Sequence, residues 1–259
     1  MQSPPPTQRF SSRVANYVKH RPRYPQAVVA LLERECELQA SHIVADIGSG
    51  TGFLSEIFLR NGNPVIGIEP NREMREAGDE YLARYPYFTS MDATAEATAL
   101  HDASVEFVVA GQAWHWFDGD AASREFKRIL KPGGWIALAW NARRLESTPF
   151  LRDYEQVLIE FCPEYKELNH QDQDQRALSD VLGMPLRTAS IYNAQMFDFA
   201  GFSGRVFSSS YTPEVGEPNY EPMRAALKAV FDAHAVDGQV AFEYDCMIYY
   251  GHVSRNHTR

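Results

Sequence analysis

Residues 44–57 read VADIGSGTGFLSEI and contain the turn that decides the fold. A short apolar run ends in glycines at positions 48, 50 and 52, and apolar residues then recur at helical spacing as far as Asn61-Gly62. Glycine adopts positive φ readily and has no Cβ atom to hold a ligand away from the backbone. Because a helix N-terminus also presents unpaired N–H groups, this strand, turn and helix predict a ligand site.

The same alternation of strand and helix continues along the chain. We predict strands in PVIGIEP (64–70), YFTSMDA (87–93), SVEFVVAGQ (104–112) and WIALAW (135–140), and a helix after Asn71, a plausible N-cap. Two later runs, 189–199 and 240–253, also alternate like strands. The pattern predicts an α/β fold with a seven-stranded, mostly parallel sheet, an antiparallel last strand, and helices on both faces.

Composition excludes several classes of protein. A net charge of −9 argues against a surface for nucleic acid, which needs clustered Lys and Arg. The first ten residues lack the pattern of a signal peptide, and no apolar stretch approaches the length of a membrane span, so we predict no membrane partner. The three widely spaced cysteines form no metal-ligand pattern. We therefore expect a cytoplasmic protein without a metal.

The spacing of the glycines helps to separate two classes of ligand. In the dinucleotide pattern G-x-G-x-x-G the third glycine would occupy position 53, which is Phe53 here. Glu69 follows the second predicted strand, where an acidic side chain can accept hydrogen bonds from ribose hydroxyls. A nucleoside without a pyrophosphate is therefore favoured, and an NAD(P)-dependent oxidoreductase is kept as the alternative.

The motifs together resemble a known family. VADIGSGTG, GIEP, MDATA, AGQAWHWFD and LKPGGWIAL, in this order, are similar to class I S-adenosylmethionine-dependent methyltransferases of the methyltransferase type 11 family, near the ubiquinone/menaquinone-biosynthesis and trans-aconitate enzymes. QAWHWF and the early RPRYP strengthen the likeness, which covers about residues 10–142 well. It implies a Rossmann-like, doubly wound fold and S-adenosyl-L-methionine as the cofactor.

The resemblance also implies roles for individual residues. Asp46 and the turn after it would hold the methionine part, Glu69 the ribose, and Asp92 the adenine amino group. Tyr17 and Arg23 would belong to a lid, and Trp114 or Tyr17 could make a cation–π contact with the sulfonium. Trp114, Trp116 and Phe117 could equally form a buried aromatic ridge. The complete set of expected cofactor-binding residues is Tyr17, Arg23, Asp46, Gly48, Ser49, Gly50, Gly52, Glu69, Pro70, Asp92, Ala93, Gln112 and Trp114.

We expect one domain over residues 1–259. Its parts would be the N-terminal lid segment 10–37, the cofactor-binding core 38–141, a helical insertion or cap 142–190, and the last strands 191–259.

The expected reaction is methyl transfer to a small-molecule acceptor. His115 is the candidate catalytic base, needed only if the acceptor must lose a proton, and it could instead simply pack in its loop. Arginines 21, 23, 143 and 144 could meet a carboxylate or lie on the surface. A non-catalytic S-adenosylmethionine-binding module is a further alternative. Whether carbon, oxygen, nitrogen or an acid group is methylated, and the oligomeric state, stay open.

Overall fold

The computed structural model describes residues 21–163, 165, 175–209 and 211–253. Within them a seven-stranded sheet has helices on both faces. The strands are β1 Val44–Ile47, β2 Val65–Ile68, β3 Phe88–Met91, β4 Val105–Gly111, β5 Leu130–Arg143, β6 Arg187–Phe197 and β7 Val240–His252. The α-helices are α1 Ala27–Cys36, α2 Phe53–Arg60, α3 Arg72–Leu82, α4 Gly119–Ile129, α5 Pro149–Phe161, α6 Gln175–Leu182, α7 Phe199–Phe207 and α8 Tyr220–His234, and a 3₁₀ turn spans Trp114–Trp116.

The sheet has the order β3-β2-β1-β4-β5-β7-β6. The first five strands pair in parallel, and β7 runs antiparallel to both β5 and β6. The predicted mostly parallel, doubly wound sheet with an antiparallel last strand is confirmed. Its order reverses between β1 and β4, where the ends of adjacent strands leave a crevice for a ligand.

Two signals read from the sequence begin and end helices as predicted. The Asn71 side chain accepts the N–H of Met74 at 3.0 Å and caps α3. Helix α2 ends at Arg60, and Gly62 follows with φ +92°. Both signals are local, so they hold in the folded chain.

Three boundaries differ from the prediction. Strand β5 begins at Leu130, directly after α4, whereas the sequence predicted a strand only over residues 135–140. Strand β6 begins at Arg187, inside the segment expected to be a helical cap, and ends at Phe197. The unpredicted helix α7 then starts, because Asp198 caps it by accepting the N–H of Gly201 at 2.7 Å.

Three apolar clusters hold these elements together. One joins α1 and α2 to one face of the sheet, and a second joins α4 and α6 to the other face. The third packs α5, α7 and α8 around Phe242 and Tyr244 of β7. We call the side chains of this third cluster the cap cluster. It packs α7 against β7.

The N-cap of α3 gives a first testable prediction. Replacing Asn71 with Ala leaves the N–H of Met74 without its acceptor, so we expect a loss of about 1 kcal/mol in the free energy of unfolding. Asp79→Ala on the exposed side of the same helix is the control and should change stability by less than about 0.5 kcal/mol. Urea unfolding measures both variants. Equal stabilities would show that the cap contributes nothing.

Candidate active site

The glycine turn connects β1 to α2 with three residues in the left-handed region. Gly48, Gly50 and Gly52 have φ of +66°, +55° and +82°. A Cβ atom on Gly52 would lie 2.5 Å from the Cδ1 atom of the buried Leu82. The turn therefore needs glycine for its backbone conformation and for its close packing.

Glu69 fastens this turn to the end of β2. Its carboxylate accepts the N–H of Gly50 at 2.9 Å and the N–H of Asn71 at 2.8 Å. Burial raises the pKa of Glu69, and the two N–H bonds oppose that shift. Each carboxylate oxygen has lone pairs beyond the bond that it accepts, so further donors such as ribose hydroxyls can still bind.

Asp46 lies on β1 directly under the turn and is fully buried. Its Oδ2 atom accepts the hydroxyl of Ser55 at 2.6 Å. Its Oδ1 atom has no hydrogen-bond partner among the described residues. Burial raises the pKa of Asp46 to about 7. A buried carboxylate oxygen without a hydrogen-bond partner is complementary to a cationic donor.

A cavity of about 280 Å³ opens above the carboxyl ends of β1, β4 and β5. Six of the predicted residues line it, namely Asp46, Gly48, Ser49, Gly50, Gln112 and His115. The rest of the lining consists of Arg21, Pro22, Tyr24, Thr51, Phe53, Leu54, Gly111, Trp116, Asn141 and Arg205. The size of the cavity suits part of a small molecule.

Other predicted residues lie elsewhere. Arg23 packs over the rings of Phe53 and Tyr81, at 4.7 and 4.8 Å, and forms an ion pair with Glu56. Trp114 is buried in the core with its ring edge against Phe117, and its neighbour Trp116 lines the cavity. Tyr17 lies outside the described residues.

Arg75 links the ends of β2 and β3, where the adenine was expected. It donates to the carbonyl of Glu69 at 2.7 Å and to the carboxylate of Asp92 at 2.9 Å. Asp92 is exposed, and Pro70 and Ala93 are half-buried. These residues form a separate stretch beside Glu69, outside the cavity lining.

Gln112 connects the ends of β4 and β5 in an unusual conformation. It has φ +54°, which non-glycine residues rarely adopt. Its N–H donates to the carbonyl of Ala139 at 2.9 Å, and its Oε1 atom accepts the N–H of Asn141 at 2.8 Å. The two bonds hold Gln112 at the cavity wall. Such locally strained residues concentrate at functional sites.

His115 follows Gln112 in the 3₁₀ turn and also lines the cavity. Its ring lies beside that of Trp116 with a centroid distance of 4.7 Å, and the residue is exposed. Desolvation lowers the pKa of His115, which favours the neutral imidazole. A neutral imidazole can accept a proton.

Sequence reasoning missed several cavity residues. The hydroxyl of Tyr24 lies against Gly111, so closely that a Cβ atom there would sit 2.6 Å from it. Asn141 and Arg205 carry no local signal at all, because their position depends on the pairing of β5 with β7 and on the unpredicted α7. Of the four arginines suggested for a carboxylate, Arg21 lines the cavity. Arg143 and Arg144 form ion pairs with Glu155 and Asp245.

The described part of the chain shows neither a metal-ligand cluster nor a membrane-spanning helix. It contains no group of His, Cys, Asp and Glu residues arranged to hold a metal ion. None of its helices combines the length and the apolar character that crossing a membrane requires.

Comparison with known proteins agrees with this geometry. Residues 45–138 match the model of a methyltransferase domain. An uncharacterized methyltransferase of Mycobacterium bovis is 38% identical over 135 residues, which is 52% of each chain. The chain thus spans about half the length of the curated relatives it matches.

Solved structures share the fold. A protein of Anaeromyxobacter dehalogenans, assigned as a type II methyltransferase, superposes with a TM-score of 0.66 at 20% identity, covering 91% of this chain and 99% of that one. A SAM-dependent methyltransferase from Aquifex aeolicus gives a TM-score of 0.50 at 15% identity, covering 73% and 92%.

The sheet order, the glycine turn and the match over residues 45–138 are those of a class I S-adenosylmethionine-dependent methyltransferase domain, and S-adenosyl-L-methionine is the cofactor of that class. Within this class the matched region, residues 45–138, is similar to the methyltransferase type 11 family.

Proposed function

We propose that this protein transfers a methyl group from S-adenosylmethionine to a small-molecule acceptor. The observation that carries the proposal is the buried Oδ1 atom of Asp46, which lacks a partner among the described residues and lines the cavity beside the glycine turn. The cofactor has an ammonium group that can fill this position. Asp46 would bind that ammonium, the turn would approach the methionine chain, and Glu69 would accept from the ribose.

The remaining assignments follow the strand ends. Asp92 and Ala93 would meet the adenine from β3, with Pro70 beside them, and Gln112 would lie near the sulfonium. Bound S-adenosylmethionine supplies an activated methyl group. The protein then has mainly to hold the acceptor atom in line with that group, and positioning of this kind accounts for much of the rate of such reactions.

The acceptor side of the cavity suits a small molecule. Residues 21, 22 and 24, the 3₁₀ turn and α7 contribute to its lining, and a volume of about 280 Å³ is of the order of a small-molecule site. The net charge of −9 further opposes nucleic acid as the acceptor. All three cysteines are buried thiols, which suits the cytoplasmic location that we propose.

His115 is the candidate base on this side. In the neutral form that its lowered pKa favours, it would take a proton from an acceptor that must lose one. We expect His115→Asn to slow the transfer of a radiolabelled methyl group from S-adenosylmethionine to a metabolite extract. The affinity for S-adenosylhomocysteine should stay unchanged. Radiolabel incorporation and calorimetry measure the two quantities. An unchanged rate would assign His115 a packing role.

Calorimetric titration with S-adenosylmethionine and S-adenosylhomocysteine tests the proposal, with NAD as the comparison ligand in a thermal-shift assay. We expect both nucleosides to bind and NAD to leave the melting temperature unchanged. Failure of both nucleosides to bind at millimolar concentration would overturn the proposal. Binding without release of S-adenosylhomocysteine in the presence of a metabolite extract would instead indicate a non-catalytic binding module.

A further inference from the structure

Arg205 is a buried cation in the wall of the cavity. It lies on α7 and is 8% exposed. Its guanidinium donates to the hydroxyls of Tyr244 at 3.3 Å and Ser209 at 3.4 Å, and it stacks over the Phe242 ring at 5.6 Å. These contacts fix the side chain, but each partner is neutral.

No carboxylate of the described residues forms an ion pair with Arg205. Two other arginines differ in this respect, since Arg143 pairs with Glu155 and Arg144 with Asp245. Burying an arginine without an anion is unfavourable, and buried charges in proteins are normally paired. The position therefore calls for an anion that enters the cavity.

Asn141 supplies a second donor in the same wall. It is 7% exposed, and its Nδ2 atom has no hydrogen-bond partner among the described residues. Asn193 determines which way this amide points. The Nδ2 atom of Asn193 donates to the carbonyl of Arg23 at 2.7 Å and to the Oδ1 atom of Asn141 at 2.9 Å. The Oδ1 atom of Asn141 is therefore used, and its N–H groups are left for a ligand.

The location of the two donors separates them from the cofactor's own carboxylate. Asp46 lies on β1, whereas Asn141 lies on β5 and Arg205 contacts β7, two and three strands further along the sheet. Neighbouring strands are about 4.8 Å apart, so the separation from β1 is roughly 10 to 14 Å. An ammonium held by Asp46 keeps the adjacent carboxylate of the cofactor near β1, and the anion beside Arg205 must then come from another molecule.

We propose that Arg205 and Asn141 form an anion subsite that binds an acidic group of the methyl acceptor, a carboxylate or a phosphate ester. The inference rests on the proposed function, because it takes the cofactor to lie over β1. Arg205 supplies the charge and Asn141 a directed N–H donor, a combination that binds oxyanions strongly. The subsite thereby selects acidic acceptors and holds them at the end of β5, beside His115.

Matched probe pairs test the subsite. Benzoate and hexanoate are titrated against benzamide and hexanamide, and phenyl phosphate against phenol, with the full chain saturated by S-adenosylhomocysteine. We expect at least one anion to bind about tenfold or more tightly than its neutral partner, which is the effect of a charge-assisted hydrogen bond. Whichever pair shows the preference identifies the acid group as carboxylate or phosphate.

Variants assign the effect to the two residues. Arg205→Gln and the isosteric Asn141→Asp should each abolish the preference for the anion, Arg205→Lys should restore part of it, and the affinity for S-adenosylhomocysteine should be unchanged in all three. Arg224→Gln, an exposed arginine of α8 outside the cavity, is the matched control. Asn141→Asp replaces the N–H donor with a carboxylate oxygen, which opposes an anion, and it leaves Arg205 in place, so it covers the case in which Arg205→Gln does not fold.

Three results would overturn the inference. These are equal affinity for each anion and its neutral partner, an anion preference that both Arg205→Gln and Asn141→Asp retain, or a parallel loss of S-adenosylhomocysteine affinity, which would place the cofactor's carboxylate there. If S-adenosylhomocysteine itself does not bind, the proposed function fails, and the same titrations on the free protein still decide whether the anion subsite exists.

Discussion

Asp46→Asn is expected to weaken the binding of S-adenosylhomocysteine by about 10- to 100-fold at pH 7, because it removes a charge-assisted hydrogen bond worth about 1.5–3 kcal/mol. The asparagine can keep the bond from Ser55 by directing its Oδ1 atom toward that hydroxyl. Its amide nitrogen then occupies the position that faces the cavity and opposes the cofactor's ammonium. Calorimetry at one pH measures the change.

The same substitution should stabilise the protein without ligand. Burial raises the pKa of Asp46 to about 7 in the folded state, above its ordinary value of 3.8. Between these two pH values the unfolded chain binds fewer protons at this residue than the folded chain does. The wild-type protein therefore loses stability as the pH rises from about 4 to about 7, by up to about 4 kcal/mol, and Asp46→Asn lacks this loss.

Urea unfolding of both proteins at pH 5 and pH 8 measures this effect. The stability of Asp46→Asn relative to the wild type should increase between the two pH values by roughly 2.5 kcal/mol. Asp79→Asn, an exposed aspartate of α3, is the control and should show no such increase. A relative stability of Asp46→Asn that does not change with pH would mean that Asp46 ionises normally in the folded protein.

Glu69→Ala is expected to weaken both the cofactor site and the fold. It leaves the half-buried N–H of Gly50 and the buried N–H of Asn71 without their acceptor, and a buried N–H left in this way costs about 1–3 kcal/mol. The glycine turn is then no longer fastened to the end of β2. Loss of the ribose contact and of the turn's position together should reduce the affinity for S-adenosylhomocysteine by about tenfold or more.

Comparison of adenosine with S-adenosylhomocysteine refines this prediction. If Glu69 holds the ribose, Glu69→Ala should weaken both ligands, because both contain the sugar, whereas Asp46→Asn should affect only the ligand with an ammonium group. Glu80→Ala on the exposed side of α3 controls for the loss of an acidic side chain. Unchanged adenosine affinity in Glu69→Ala would show that the ribose binds elsewhere.

Local signals allowed much of the cofactor side to be predicted from the sequence. The glycines at alternate positions, the cap at Asn71 and the acidic residue after β2 are each explained by a few neighbouring residues, and the structure shows Glu69 bonded to the very turn with which it was associated. Parallel strands bring their carboxyl ends to one edge, so residues at those ends meet without further information.

The acceptor side could not be predicted in this way. Asn141 faces the cavity with its orientation set by Asn193, which is 52 residues away, and Arg205 lies there because the cap cluster packs α7 against β7. Trp114 and Trp116 differ by two positions in a 3₁₀ turn, and only tertiary packing decides which of them is buried. Contacts between segments that are distant along the chain leave no recognisable pattern in a single sequence.

The central claim is that the carboxylate of Asp46 binds the cofactor's ammonium above β1. A crystal structure of the protein with S-adenosylhomocysteine, at a concentration that calorimetry shows to be saturating, tests it most directly. We predict the amino nitrogen within about 3.2 Å of the Oδ1 atom of Asp46, and the ribose hydroxyls on Glu69. A nucleoside bound elsewhere, or an amino group directed away from Asp46, would contradict the account.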